Sequence, residues 1–178
     1  ARAFPAARRV VGYYARRRQD DGLLAIHHGG PMPMTEDKIF VDHPGLGWHG
    51  QEDQGMARHG QSCALNVLFA MACRSLDVLA GRLELEAPES RGVADQVLER
   101  VRDVFWSEEQ GLFVDAVDAE PDGPIFSQQT NTWAAQAGLL DERTYVDRVL
   151  SGEGLVKATP YFYAYMVSVL REQGWSAP

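Results

Sequence analysis

The sequence predicts an all-α chain built of helical hairpins. Three observations carry this. Apolar residues recur at helical spacing over several stretches, each bounded by Gly, Pro, Ser or Thr. Only two short runs, Ile39 to Val41 and Leu112 to Val117, read as extended. The fragments RRRQDDGLLAI and FWSEEQGLFVDA are also alike: each is a helix end, an acidic pair, a Gly-Leu turn and a short apolar run. VLREQGW reads as a third helix end of this kind. The spacing between them is uneven, which fits stacked hairpins with connections of varied length rather than a short solenoid repeat.

Taken in order, Pro5 to Arg18 is the first predicted helix. Pro5 suits its first turn, and Val10, Val11, Tyr13 and Tyr14 supply a buried side. Arg16, Arg17 and Arg18 crowd the end where the helix dipole favours cations. Asp20, Asp21 and Gly22 stop it, and Leu23 to Ile26 is a short apolar piece. His27 to Met34 holds two Gly and two Pro and reads as loop. The run Ile39-Phe40-Val41 ends in Asp42, after which Pro44, Gly45 and Gly47 return the chain to a loop carrying Trp48 and His49.

A long helix is expected from about Gln54 or Met56 to Ala80, with a stripe of Leu65, Leu68, Phe69, Met71, Leu76 and Leu79. After Pro88-Glu89-Ser90, the residues Val93, Val97, Val101, Val104 and Phe105 line the next helix, which Gly111 ends. An acidic loop with Asp118, Glu120 and Asp122 follows the extended piece. Ser127 is a good N-cap for a helix from Gln128 to Leu140, packed through Trp133, Ala134 and Ala137. A short helix from about Glu142 to Leu150 is broken by Gly152 and Gly154. The last helix starts at Thr159 and Pro160, an N-cap and a first-turn proline, and carries Tyr161, Phe162, Tyr165, Met166, Val169 and Leu170.

Composition narrows the function. The chain has 178 residues, 45% hydrophobic and 24% charged, which fits one folded domain. A net charge of −8 argues against nucleic acid or an anionic membrane as partner. No apolar run is expected to approach the ~20 residues of a membrane span. The opening ARAFPAARR lacks the apolar region of a signal peptide, and its first residue is Ala1, as when a native start has been removed. Cys63 and Cys73 fall ten positions apart in one predicted helix, ~15 Å along its axis, too far to bond. They read as core residues of a reducing compartment, so a cytoplasmic location is expected.

Chemistry has few candidates. All five His lie between His27 and His59, among Asp37, Asp42, Glu52 and Asp53. A metal site from His49, Glu52, Asp53 and His59 is conceivable, but no H-E-x-x-H or C-x-x-C is present, and neither metal nor cofactor is expected. Gly60-Gln61-Ser62 has the look of a nucleophile elbow, yet the preceding Met56 to His59 does not read as a buried strand. Asp115 to Asp122 lacks EF-hand spacing and reads as a solvated acidic loop. The loop from Phe40 to Asp53 is a better site. It joins a carboxylate at a core edge, Asp42, to the flat apolar face of Trp48 and the polar tip of His49, a mix that suits sugar rings. Gln128, Gln129, Thr130 and Asn131, four neutral polar residues entering a helix, suit a hydroxyl-rich ligand in the same way.

Four pieces resemble the catalytic domain of bacterial α-L-rhamnosidases, glycoside hydrolase family 78, within the six-hairpin glycosidases. QDDGLL followed by KIFVDHP resembles the family's helix end, DGL turn and F-V-D-W segment, with His43 where Trp is usual. The helix through Ala64-Leu65-Asn66-Val67-Leu68 resembles its alanine- and asparagine-containing barrel helix. FSQQTNTWAAQAGLL resembles F-S-Q-H-x-N-x-x-A-x-x-A-G, with Gln129 in place of His. ATPYFYAYMVSVLREQGW resembles an aromatic-rich helix ending in x-x-x-G.

The resemblance implies an (α/α)6 barrel with a sugar cleft at one end, and a carbohydrate as the ligand. Twelve helices make such a barrel and this chain supplies about half, so it resembles the middle part of a larger catalytic domain. The family's general acid would lie upstream of this chain and its general base downstream, leaving the catalytic residues unassigned. Asp42 with Glu52 or Asp53 could form the pair of carboxyls that inverting hydrolysis needs, about 6.5–9.5 Å apart. Asp42, Trp48, His49, Gln129 and Asn131 are expected to hold the sugar. Half a barrel would leave Leu65, Phe69, Phe162 and Met166 without neighbours, so the chain is expected to self-associate through exposed apolar helix faces, as a dimer or by domain swapping, or to pack its helices into a smaller closed bundle. Two other readings compete: a helical interaction module without catalysis, and a metal-dependent enzyme using the His-rich loop.

Overall fold

The computed structural model describes residues 3–27, 59–117 and 124–174. Helix α1 (Phe4–Ala15) leads into strand β1 (Ala25–His27). Strand β2 (His59–Ser62) runs straight into α2 (Cys63–Leu83), the longest helix among the described residues. Helix α3 (Val93–Phe105) is followed by three short strands, β3 (Trp106–Ser107), β4 (Leu112–Phe113) and β5 (Ala116–Val117). Helix α4 (Gln128–Gln136) precedes α5 (Glu142–Thr144), which continues as a π-helical turn over Tyr145–Leu150. A 3-10 turn (Pro160–Phe162) opens α6 (Tyr163–Glu172).

The hydrogen bonds fix the helix directions. Asp115 ties the starts of α2 and α4 together, accepting from Cys63 N at its carbonyl (2.9 Å) and from Ser127 N at its carboxylate (3.0 Å). Farther along both helices, Arg74 donates to Ala137 O at 3.0 Å, so α2 and α4 are parallel. The start of α4 meets Ala158 through Gln128 Oε1 (2.9 Å), and its far end meets α6 through Gln136 Nε2 and Glu172 Oε2 (2.9 Å), so α6 is parallel too. The other helices run back against these three. Arg74 pairs with Asp95 in the first turn of α3, while Arg100, later in α3, reaches Asp21 O beside the start of α2. Thr132 meets Tyr145 and Gln128 meets Val149 O, the order of an antiparallel neighbour. Asn66 at the start of α2 binds Leu24 beyond the end of α1. Three hairpins result: α1 with α2, α3 with α4, and α5 with α6.

The core lies between the hairpins. Leu23, Leu24, Cys63, Val67, Val97, Val101, Phe105, Phe113 and Tyr145 are almost fully removed from water. Apolar burial of this kind stabilises by about 25 cal/mol per Å² and is the main favourable contribution to the fold. A smaller cluster of Ala158, Phe162 and Met166 packs on Trp133 and Leu150. Strands β1, β2 and β5 form one antiparallel sheet in the order β1-β2-β5, and β3 pairs with β4. Ser127 and Val156 add a parallel bridge.

Several expectations change. The long helix begins at Cys63, because His59–Ser62 is committed to strand pairing with Ala25–His27 and Ala116–Val117. Extended structure is therefore not confined to the two predicted runs; the one at 112–117 is present, and Ile39 to Val41 lies outside the described residues. Leu65, Phe69, Phe162 and Met166, expected at open faces, are buried within the chain, since α1 packs over the first two and Trp133 of α4 with Leu150 covers the others. Among the described residues the exposed large apolar ones are instead Val10, Val78, Leu85, Tyr161, Tyr163, Tyr165 and Val167. Thr159 makes no side-chain cap bond. Helix α2 does reach the length and hydropathy of a membrane span, 21 residues at a mean hydropathy of 1.6. Here it packs against α1, α3 and α4 and carries Arg74 and Asp77 toward α3.

Candidate functional site

The starts of α2, α4 and α6 share one end of the array, and the polar side chains gather there. Ser62 caps α2 by accepting from Leu65 N (3.3 Å), and Ser127 caps α4 by accepting from Thr130 N (3.1 Å). Four residues after each cap stands a fully buried asparagine. Asn66 Oδ1 accepts from Leu24 N (2.7 Å), and its amide donates to Leu24 O (3.0 Å) and Ser62 O (2.9 Å). Asn131 Oδ1 accepts from Phe113 N (2.8 Å), and its amide donates to Phe113 O (3.0 Å) and Ser127 O (3.0 Å). Each clasped residue follows a Gly-Leu turn whose glycine has positive φ, 87° at Gly22 and 62° at Gly111.

A third turn of this sort is Gly154-Leu155-Val156, with φ 70° at Gly154. There the main chain does the clasping: Val156 N donates to Phe126 O (2.9 Å) and Val156 O accepts from Gln128 N (3.0 Å). VLREQGW is also a helix end, where α6 stops at Glu172 and Gly174 has φ 69°, and the chain from Trp175 on lies outside the described residues.

Between the clasps sits Asp115. Its carboxylate accepts from Ser127 N (3.0 Å) and Ser127 Oγ (2.8 Å). Burial pushes its pKa up to about 6, against the bonds from Ser127 and Thr130, which favour the charged form. It is therefore no member of a solvated acidic loop; residues 118–123 lie outside the described residues. Gln61 donates to Gln19 Oε1 (2.9 Å) and Asp21 Oδ2 (2.6 Å). Burial opposes the charge on Asp21, yet the bonds from Gln61 and Leu23 N and the charge of Arg100 together hold its carboxyl below the usual range.

Gly60-Gln61-Ser62 does stand at a strand-to-helix junction, contrary to the sequence expectation, but the Ser62 hydroxyl is buried and serves as the α2 cap. Among the described residues no group of three His, Cys, Asp or Glu gathers to hold a metal. Cys63 and Cys73 are buried free thiols, and burial pushes both up, Cys73 to about 11.

The sequence-predicted site residues divide in two. Gln129 and Asn131 stand at the shared polar end, both buried; the Asn131 amide is spent on the main chain. Asp42, Trp48, His49, Glu52 and Asp53 lie outside the described residues. The chain leaves the described region at His27 and returns at His59, which are Cα partners in the β1–β2 ladder beside the α2 cap. Asn66, Asp115 and Gln61 carry the geometry of this end and were not among the predicted site residues. The signal for Asn66 was the doubled spacing Ser-x-x-x-Asn, at Ser62/Asn66 and Ser127/Asn131, each downstream of a Gly-Leu turn, whereas Asp115 and Gln61 have no such local signal.

An array of hairpins whose parallel helices open at one polar end defines a helical-hairpin fold. Two solved structures share it. The chain aligns over 98% of its length with a GH78 family rhamnosidase of Bacillus sp. GL1, at TM-score 0.68 and 20% identity, and covers 17% of that protein. It aligns over 97% of its length with a rhamnosidase from Klebsiella oxytoca solved with rhamnose bound, at TM-score 0.69 and 20% identity, and covers 30% of that chain. The chain therefore spans less than a third of either. No protein-family model and no characterised sequence matches it.

Proposed function

We propose that the chain forms three of the hairpins of an α-L-rhamnosidase-like glycoside hydrolase domain, and acts on rhamnose-containing glycosides as part of that domain. The observation that carries this is the superposition of nearly the whole chain on two rhamnosidases, one holding rhamnose. The polar end formed by α2, α4 and α6 is the sugar-facing end in this reading. Asp42, Trp48, His49 and Gln129 contact the sugar by stacking and hydrogen bonding in this reading, and Asn131 shapes the floor through its hold on Phe113. Hydrolysis needs a protonated carboxyl at the leaving oxygen and a carboxylate that activates water. The chain by itself is then a weak sugar binder and not an efficient catalyst, because binding without that acid does not favour the transition state selectively.

The test is a titration of the purified chain with L-rhamnose, alongside an assay of an aryl α-L-rhamnoside. Millimolar rhamnose binding, weakened in Trp48→Ala, with turnover at background, is the expected result. Absence of any rhamnose binding would sink the reading. Robust turnover that Asp42→Asn abolishes would overturn the assignment of Asp42 as a sugar ligand and make it a catalyst.

A further inference from the structure

Helix α1 and the residues just after it are rich in arginine in an acidic protein, and Arg8 reaches Glu89 beyond the C-terminal end of α2, away from the polar end. A groove of about 510 Å³ runs along α1, lined by Arg8, Arg9, Gly12, Tyr13, Arg16 and Glu89. Its charges are not cancelled internally. Arg8 alone takes both oxygens of Glu89, at 2.6 and 3.1 Å. Arg16 shares the field of that carboxylate only at longer range. Arg9 is exposed, and among the described residues it has no carboxylate within ion-pair distance. Arg17 and Arg18 are occupied elsewhere: Arg17 lies 3.5 Å from the Tyr13 ring centre, and Arg18 donates to Ala15 O.

Gly12 lines the groove and lets the Arg16 guanidinium lie close against the helix. It is buried in the middle of α1, where glycine costs about 1 kcal/mol relative to alanine. A Cβ there would stand 3.2 Å from Arg16 Nη1, so that guanidinium would have to give by a few tenths of an ångström. Arg9 and Arg16 are seven residues apart, ~10 Å along the axis, on a face that runs parallel to the groove. Two arginines on one face of the groove match a ligand bearing more than one carboxylate, because each guanidinium fork can take a carboxylate in bidentate fashion.

We propose that this groove is an auxiliary binding site for an acidic oligosaccharide, a glycan carrying uronate carboxylates, held through Arg9 and Arg16. The polymer class rests on the glycosidase reading above; the charge requirement rests on the groove itself. The site would retain an acidic glycan on the outside of the array without touching the sugar-facing end.

Calorimetric titration of the chain with a uronic-acid trisaccharide, an uncharged trisaccharide and a glutamate oligomer of equal charge tests it, at low and at about 0.3 M salt. The uronate should bind, should weaken about tenfold in the Arg9→Gln/Arg16→Gln variant, and should weaken at high salt, while the neutral sugar leaves the groove empty. Both arginines are exposed, so circular dichroism of the variant should match the parent. A uronate affinity equal in parent and variant overturns the proposal, as does no uronate binding or equal binding of the neutral sugar. A glutamate oligomer binding as tightly as the uronate would reassign the groove to acidic peptides. Rhamnose binding should be unchanged in the variant, so failure here and failure of the rhamnosidase reading are separable.

Discussion

Asn131 and Phe113 exchange two hydrogen bonds, N–H to Oδ1 at 2.8 Å and Nδ2 to carbonyl at 3.0 Å, and so weld the α3–α4 connection to the second turn of α4. Asn66 does the same for Leu24 in the first hairpin. Both asparagines are fully buried, so removing either leaves main-chain groups with no water to replace it. Each orphaned buried group costs roughly 1–3 kcal/mol. Asn131→Ala should therefore lower stability by about 3–5 kcal/mol, and Asn66→Ala by a similar amount. Urea unfolding of the two variants measures this; a loss under about 1 kcal/mol in both would show that the clasps are not needed.

Asp115 sets a pH dependence of unusual sign. Its pKa is raised to about 6 in the folded chain from an ordinary value of 3.8. The folded state thus holds a proton that the unfolded chain gives up. Its contribution to stability is fully present below about pH 4 and is lost as pH rises through about 6. Asp21, Glu89 and Asp141 have lowered values and act in the opposite sense, losing their contribution as the solution is acidified. The clean readout is the difference between the parent and Asp115→Asn. The parent should lose up to about 3 kcal/mol relative to the variant between pH 4 and pH 7. A difference that does not change with pH would contradict it.

Two glycines should respond oppositely to alanine. At Gly152, φ is 62°, and a Cβ would collide with Lys157 Nζ and the Gln128 amide. That amide also holds Val149 O and Ala158 N, so Gly152→Ala should cost about 2 kcal/mol or more by disturbing both. Gly81 lies inside α2 with nothing within 4 Å of its added Cβ. Gly81→Ala should stabilise by about 0.5–1 kcal/mol. Thermal melts of the pair decide this, and equal shifts in one direction would refute the assignment.

Helix α6 and the 3-10 turn that opens it bury only a narrow stripe and leave Tyr161 at 73%, Tyr163 at 50% and Val167 at 63% exposure. Apolar residues exposed close together along one segment favour association. The chain should sediment as species heavier than its 19.7 kDa monomer at micromolar concentration, and Tyr161→Ser/Tyr163→Ser/Val167→Ser should shift it toward the monomer. A monomer at every concentration, indifferent to the triple substitution, would rule the surface out.

The sequence by itself determined where the helices run. Ser127 as the α4 cap, the Val93–Phe105 stripe, Gly22 and Gly111 as stops and the 112–117 extended piece are local signals, set by side-chain spacing and backbone freedom within a few residues. The order of motifs also carried the hairpin fold. Tertiary structure alone decided what depends on distant partners. His59–Ser62 is strand because Ala25–His27 and Ala116–Val117 flank it, which no local pattern records. Asn131 looked like a ligand-facing amide because its spacing to Phe113 is 18 residues, so the bonds that occupy it are invisible along the chain. Asp115 looked solvated for the same reason: its pKa depends on burial by elements brought together only on folding. Exposure on α6 likewise follows from which neighbours are present in space, and a periodic apolar stripe reports how a helix can pack without saying what covers each side of it.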